Sequence, residues 1–461
     1  MAGHTTVGIA VWMATWWLSE AVPIYATALL PLALLPLAGA SSMRAAAAPY
    51  AHPLIFLFLG GFLIARAMER WGLHRRSALL ALRIVGERPA AMVGGFMAIS
   101  ALLSMWVSNT ATAIMMLPVA QSVIALVAER VAPDEAPGEA PRVRPFAVAL
   151  LLGIAYAASI GGVGTPIGTP PNLLLLSFVE TELHQQISFV RWMAVTLPLL
   201  LVFLPATWWL LTQVLYPAPF DRVTGGAGLI RQELRRLGPL GAGERATLCA
   251  FLGAALLWIT RPLLVKLQIG GLQPLAGLTD TGIAMLAALA LFVTPVARRP
   301  LRFALDWESA ASLPWGILIL FGGGLSLASA IQANGVSSLL GNAVAAFGAV
   351  PSLLTVAVVI TGVAFLTELT SNTATTAAVV PILAAVAPGM GLDPLLLIVP
   401  AAISASCAFM LPVATPPNAV VFASGLIPAH EMSRAGLWLH GIGIVLITAL
   451  TYATVLPLLA R

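Results

Sequence analysis

Two near-copies of one polar stretch, "SNTATAIMMLP" at 108–118 and "SNTATTAAVVP" at 371–381, interrupt long apolar runs. A second pair, "GTPPN" at 168–172 and "ATPPN" at 414–418, follows them in the same order. Ser and Asn favour turns and caps over helix interiors. Consecutive prolines remove two amide donors and disfavour helical geometry before each ring. All four stretches are therefore helix breakers that free backbone groups beside hydroxyls and amides. Two ligand types suit such ends: helix N-termini present amides and positive dipole to an anion, and unwound carbonyls with Ser, Thr and Asn oxygens suit a hard cation such as sodium. No Lys or Arg occurs between Pro89 and Glu129, between Pro145 and Val190, or between Phe303 and Ser433, the segments that hold all four motifs. A bound dianion would meet no permanent cationic side chain there, which makes co-bound sodium the natural countercharge.

Other reactive side chains are few. Glu368, inside "FLTELTSNT", is the ionisable residue embedded beside a motif, and an intramembrane acid is a functional hypothesis by default. Met105 holds the matching place in the first half, so Glu368 is expected to brace its hairpin rather than ligate. Glu20 reads as a helix-break or interface residue. His52, His74, His184, His430 and His440 show no metal spacing and read as interfacial. Cys249 and Cys407 lie in separate apolar segments and are expected to be buried free thiols.

The elements that position these motifs follow from composition. The 461 residues are 59% hydrophobic and 9% charged, against about 25% charged in soluble domains. Uncharged runs such as Trp192–Tyr216, Ile283–Ala297 and Leu437–Ala460 approach the roughly 20 residues that span a bilayer as helix, and about ten or eleven such segments are present. The predicted class is an all-α polytopic membrane protein. The run 7–38, broken by Glu20 and several prolines, reads as two helices, and Met1–Thr6 lacks the basic region of a cleaved leader. The net charge of +5 comes from arginines clustered in loops, which points to topology rather than nucleic-acid binding.

The chain reads as two repeats. "FLFLGGFLIARAMERWG" (56–72) resembles "LILFGGGLSLASAIQANG" (318–335), and the Ser-Asn-Thr and Thr-Pro-Pro-Asn pairs follow in register. Arg66, Arg70, Arg75, Arg76, Arg83 and Arg88 precede the first Ser-Asn-Thr, and Arg130, Arg142 and Arg144 follow it, so both flanks should be cytoplasmic. The second Ser-Asn-Thr has no basic flank and should enter from the opposite face. The prediction is an inverted repeat with two re-entrant hairpins and two discontinuous helices. Its divisions are scaffold helices at 1–88, a transport region at 89–215, a cytoplasmic loop at 216–245, scaffold again at 246–338 and transport again at 339–461. A lone Ser-Asn-Thr would read as interhelical glue and a lone Pro-Pro as a kink. Two of each, in matched order, favour a ligand site.

The sequence resembles the divalent anion/sodium symporter family, which carries dicarboxylates, citrate or sulfate. The resemblance runs through "WWLSEAVPIYATALLPLALLPL" (16–37), "FLFLGGF" (56–62), "LLSMWVSNTATAIMMLP" (102–118), "SIGGVGTPIGTPPN" (159–172), "LFGGGLSL" (320–327), "FLTELTSNTATTAAVVP" (365–381) and "SCAFMLPVATPPNAVVFASG" (406–425), and covers nearly the whole chain. It implies that each hairpin tip and its facing helix break form a sodium site with substrate between them. One site would use Ser104, Ser108, Asn109 and the Gly168 carbonyl, and the other Thr367, Thr370, Asn372 and the Ala414 carbonyl. Substrate would touch Asn109, Thr110, Thr169, Asn372, Thr373 and Thr415, with Pro170 and Pro416 shaping the breaks. It further implies a homodimer and an elevator-like transport domain moving against a fixed scaffold; in one departure, members of that family usually have an additional helix before the stretch that matches 7–18, where this sequence starts almost directly.

The resulting expectation is a secondary active transporter of the inner membrane, not an enzyme, carrying C4-dicarboxylates such as succinate, malate or fumarate by sodium-coupled symport. Its partners would be a small dianion, sodium, membrane lipid and a second copy, with no organic cofactor and no nucleic acid. A sodium-independent dicarboxylate exchanger and a sodium-coupled sulfate or citrate carrier stay open, because hydroxyls and amides bond carboxylate and sulfate oxygens alike. A channel would need a continuous polar path, and an intramembrane hydrolase a nucleophile paired with a base; the motifs offer neither.

Overall fold

The computed structural model describes residues 2–83, 86–131, 141–222, 226–268, 272–337, 339 and 351–459. The run 7–38 forms α1 (Ala2–Ser19) and a bent pair, α2 (Ile24–Thr27) and α3 (Leu30–Leu37). They part at Glu20, which takes a left-handed backbone with φ of 48°. After α4 (Met43–Ala47), α5 (Pro53–Arg70) starts on a proline, with His52 Nδ1 accepting from the Leu54 amide. Gly72, at φ of 66°, turns the chain into α6 (Leu73–Leu82).

The first hairpin is α7 (Pro89–Ser104) and α8 (Asn109–Val131), joined at a tip spanning 105–108. The first broken helix follows as α9 (Arg144–Gly162) and α10 (Pro170–Glu182). Then α11 (Phe189–Trp209) runs into a π-helical turn at Leu210–Leu215. The linking segment holds the short helix α12 (Gly226–Arg236). Buried Arg76 of α6 clamps the end of that segment, donating to Glu244 at 2.7 Å and to the Gly238 carbonyl at 2.8 Å, and such pairing is what makes a buried cation tolerable.

The second half opens with α13 (Ala242–Leu264), α14 (Asp280–Val293), a two-stranded hairpin (β1 Pro295–Arg298, β2 Leu301–Phe303), α15 (Trp307–Ala311) and α16 (Trp315–Ala333). It then repeats the first: a hairpin of α17 (Ser352–Leu369) and α18 (Asn372–Val386), a broken helix of α19 (Leu395–Ala405) and α20 (Pro416–Phe422), and α21 (Ala429–Leu450) ending in a π-helical turn at Thr451–Val455. The repeat with two hairpins and two discontinuous helices is therefore present. Nine helices among the described residues are long and apolar enough to cross a membrane. Four shorter apolar ones, at Ile24–Leu37, Pro89–Ser104, Asp280–Val293 and Leu395–Ala405, stand beside them.

The interior is divided. One core gathers Phe96, Tyr156, Trp192, Phe203, Ile360, Leu397, Phe409 and Leu439, from the hairpins, the broken helices and the last helix of each half. The other gathers Met13, Trp17, Phe58, Trp258, Ile283 and Phe321 from α1, α5, α13, α14 and α16. Leu173 and Leu174 of α10 and Ala374, Ala377 and Ala378 of α18 pack on this second core, so one face of the hairpin-containing half lies against it.

Candidate ligand cavity between two hairpin tips

The four breaks meet at one cavity of about 590 Å³, within the range of small-molecule sites. Ser108, Asn109 and Thr110 line it from the first tip, Thr370, Ser371, Asn372 and Thr373 from the second. Gly168, Thr169 and Pro170 line it from one broken helix, and Ala414, Thr415 and Pro416 from the other. Phe58, Phe62, Trp106 and Ile167 supply apolar walls. All eight expected substrate residues thus face one space, although the two halves are more than 200 positions apart in sequence.

The motifs act as helix starts. Asn109, Pro170, Asn372 and Pro416 are the first residues of α8, α10, α18 and α20. A proline at that position costs nothing, since its missing amide would have been unpaired anyway. Thr169 and Thr415 precede them in extended geometry, and the Thr415 hydroxyl accepts from the Asn418 amide. The N-termini of α8 and α18 therefore bring amides and positive dipole to the cavity without a cationic side chain, while α10, which opens on two prolines and whose Asn172 amide is bonded to the Thr169 carbonyl, brings dipole alone. Among the described residues the ionisable groups on its wall are acidic, Glu20 and Glu368. Glu20 is engaged: its carboxylate accepts from the Ser371 amide at the second tip at 3.2 Å.

Behind each tip lies a cluster of oxygens with too few hydrogens. Ser104 Oγ, fully buried, is 2.5 Å from Asn109 Oδ1 and 2.6 Å from the Ala158 carbonyl. Thr367 Oγ1, also fully buried, is 2.8 Å from both Asn372 Oδ1 and the Ala405 carbonyl. A hydroxyl has one hydrogen, so each cluster pairs two acceptors with one donor. A hard cation relieves that shortage by taking all three oxygens as ligands. Further in, Asn172 and Asn418 donate through Nδ2 to the carbonyls of their unwound stretches, Gly162 and Thr165 in one half, Ala408 and Leu411 in the other. Their Oδ1 atoms are buried with no protein partner. Gly162 lies against the first tip: a Cβ there would lie 2.6 Å from Asn109 Oδ1, so the Asn109 side chain would have to move to admit it.

The expected cation residues divide by position. Ser108, Asn109, Gly168, Thr370, Asn372 and Ala414 reach the cavity wall, whereas Ser104 and Thr367 sit behind it. Ser108 caps α8, its hydroxyl accepting from the Ala111 amide, and the Thr370 hydroxyl is engaged by Thr375 at 2.6 Å. Sequence reasoning missed Asn172 and Asn418, although the final Asn of both "TPPN" stretches was a visible signal. It had no access to the Ala158 and Ala405 carbonyls, which every residue type possesses. Two expectations are corrected. His440 is not interfacial but buried, 2.6 Å from Glu368, and Cys249 is exposed while Cys407 is buried as expected. Glu368 does brace, accepting from the Phe409, Met410 and Leu411 amides.

Comparison with known proteins places this arrangement. The YdaH transporter of Alcanivorax borkumensis superposes with a TM-score of 0.61 at 13% identity, over 97% of this chain and 98% of that one. MtrF of Neisseria gonorrhoeae gives the same score and identity over 91% and 83%. At that identity the likeness speaks for the fold alone. The sodium-dependent dicarboxylate transporter SdcS of Staphylococcus saprophyticus is 41% identical over 458 residues, 99% of this chain and 87% of the relative. SdcS of Staphylococcus aureus is 41% identical over 451 residues. The profile of the sodium:sulfate symporter transmembrane region matches residues 1–459. The chain is a multi-pass membrane transporter, not an enzyme, and it belongs to the sodium:sulfate symporter family.

Proposed function

We propose that this transporter moves C4-dicarboxylates, succinate, malate or fumarate, across the cytoplasmic membrane by sodium-coupled symport. One observation carries the reading: a cavity of about 590 Å³, whose ionisable wall residues among those described are acidic, is flanked by two buried oxygen clusters that each lack a hydrogen. Sodium in the clusters supplies the positive charge the wall does not. The names of the relatives, sodium-dependent dicarboxylate transporters, support the same substrate class.

In this reading Ser104, Asn109, Ser108 and the Gly168 carbonyl serve one cation, and Thr367, Asn372, Thr370 and the Ala414 carbonyl the other. Asn109 and Asn372, with Thr110, Thr373, Thr169 and Thr415, hold the carboxylates, while Pro170 and Pro416 fix the helix starts. Each Asn can offer its oxygen to sodium and its NH₂ to substrate, so one side chain links the two ligands and carries part of their coupling. The division into two cores favours rigid-body, elevator-like movement of the hairpin-bearing half against the other, within a homodimer embedded in lipid.

The test is uptake of labelled succinate into proteoliposomes with and without a sodium gradient, competed by sulfate and citrate. Sodium-dependent uptake that unlabelled succinate, malate and fumarate suppress is the expected result. Equal uptake in choline and sodium buffers would replace symport by exchange.

A further inference from the structure

Among the described residues, the second half carries a device that the first half lacks. Glu368 Oε1 accepts from the Phe409 amide at 2.6 Å, the Met410 amide at 2.8 Å and His440 Nε2 at 2.6 Å, while Oε2 accepts from the Leu411 amide at 3.0 Å. Both side chains are buried, at 4% and 2% exposure. A carboxylate can only accept, so Nε2 carries the hydrogen. With three donors on it, Oε1 has no remaining capacity for a ligand. The three amides belong to the unwound stretch between α19 and α20, whose carbonyl side is held by Asn418. One side chain thus fixes the amide side of a turn and another its carbonyl side.

His440 comes from α21, its ring stacked on Phe365 of α17 with centroids 5.2 Å apart. The helix presses on the same turn: a Cβ at Gly436 would lie 2.5 Å from Met410 Cα and the Phe409 carbonyl, so glycine alone permits this approach. In the first half the place of Glu368 is taken by Met105, and neutral groups hold the equivalent turn. There the Thr165 hydroxyl donates to the Met105 carbonyl, and Asn172 and Trp192 donate to that of Val163. The two half-sites share their tip chemistry and differ in what supports them.

We propose that Glu368 and His440 are positioning residues for the second cation half-site. Glu368 holds the turn at 409–411, and with it the approach to Ala414, in register with Thr367 and Asn372, and its charge favours a cation at that half alone. His440 acts through Glu368, locking the carboxylate in the orientation that receives all three amides. The inference rests on the sodium-coupled reading above and concerns sodium affinity rather than contact with substrate.

The test compares Glu368→Gln, His440→Leu and His440→Gln with the unaltered protein, by sodium titration of succinate uptake in proteoliposomes and by the sodium-induced rise in melting temperature in detergent. Glu368→Gln should raise half-saturating sodium about tenfold or more, as expected for a buried charged hydrogen bond, with the succinate KM at saturating sodium changed less than about twofold. His440→Leu should shift in the same direction by a smaller factor. His440→Gln keeps a donor for Oε1 and should restore most of the loss. The double variant Glu368→Gln/His440→Leu should be no worse than Glu368→Gln, because both act through one group. Unchanged sodium curves in Glu368→Gln and His440→Leu would overturn the inference, as would a raised succinate KM at saturating sodium or a His440→Gln as impaired as His440→Leu. Should Glu368→Gln not fold, the two His440 variants decide alone. An unaltered protein indifferent to sodium in both assays would instead remove the symport reading itself.

Discussion

Thr367→Val tests whether the buried oxygen clusters hold cations or merely tie helices together. Valine matches threonine in shape, and the site is fully buried, so the change deletes a hydroxyl with little repacking. It leaves Asn372 Oδ1 and the Ala405 carbonyl, each 2.8 Å from the lost oxygen, without that donor. Leaving a buried acceptor unpaired costs about 1–3 kcal/mol, and this falls on the empty protein. With sodium bound, the same deletion removes one ligand of a cation. One hydrogen serves both acceptors in the empty protein, so its loss there is at the low end, about 1 kcal/mol; set against about 1.5–3 kcal/mol for a bond to a charged partner this leaves about 0.5–2 kcal/mol, and half-saturating sodium should rise roughly two- to thirtyfold.

The two roles separate in sign. A hydroxyl that served only the empty state would leave sodium affinity unchanged or tighten it, because its removal would destabilise the unliganded form alone. The measurements are succinate uptake against sodium in proteoliposomes and the sodium-dependent melting shift in detergent, which grows with concentration over Kd. Thr367→Ser keeps the oxygen and should stay within about threefold of the unaltered protein. A Thr367→Val variant that melts lower yet shows an unchanged or lower sodium requirement would refute the cation assignment.

Three further outcomes follow from the same geometry. Asn109→Asp and Asn372→Asp keep an oxygen but add negative charge beside a dianion, so substrate affinity should fall more than sodium affinity. Asn109→Ala and Asn372→Ala should weaken both, and normal uptake by the alanine variants would reduce the tips to packing elements. Gly162→Ala, whose Cβ would lie 2.6 Å from Asn109 Oδ1, should abolish uptake in protein that still reaches the membrane, and retained transport would show the first tip to be adjustable. Cysteines at Arg83 and Pro351, both exposed, in a variant lacking Cys249 and Cys407, should react with an impermeant thiol reagent from opposite sides; labelling from one side would contradict opposed hairpins.

Much of this architecture was legible in the chain because a membrane punishes unpaired backbone. An unwound stretch in hydrocarbon costs several kcal/mol for each free group, so "SNT" and "TPPN" inside apolar runs could stand only where they line a cavity or are buried in protein. Their recurrence in matched order, with basic residues on one pair of flanks only, was enough for hairpins, broken helices and inversion. The tertiary structure decided what the side chains do once there. Ser108 and Ser371 look equivalent, yet Ser108 caps its own helix while the Ser371 amide is taken by Glu20, more than three hundred positions away. Ser104 and Thr367 could be named, but their oxygen clusters needed the Ala158 and Ala405 carbonyls, and a carbonyl's direction leaves no mark on residue type. His440 read as interfacial because it showed no metal spacing; folding places it on Glu368, 72 residues distant, where the energy of a buried hydrogen bond depends on distance in space and not along the chain.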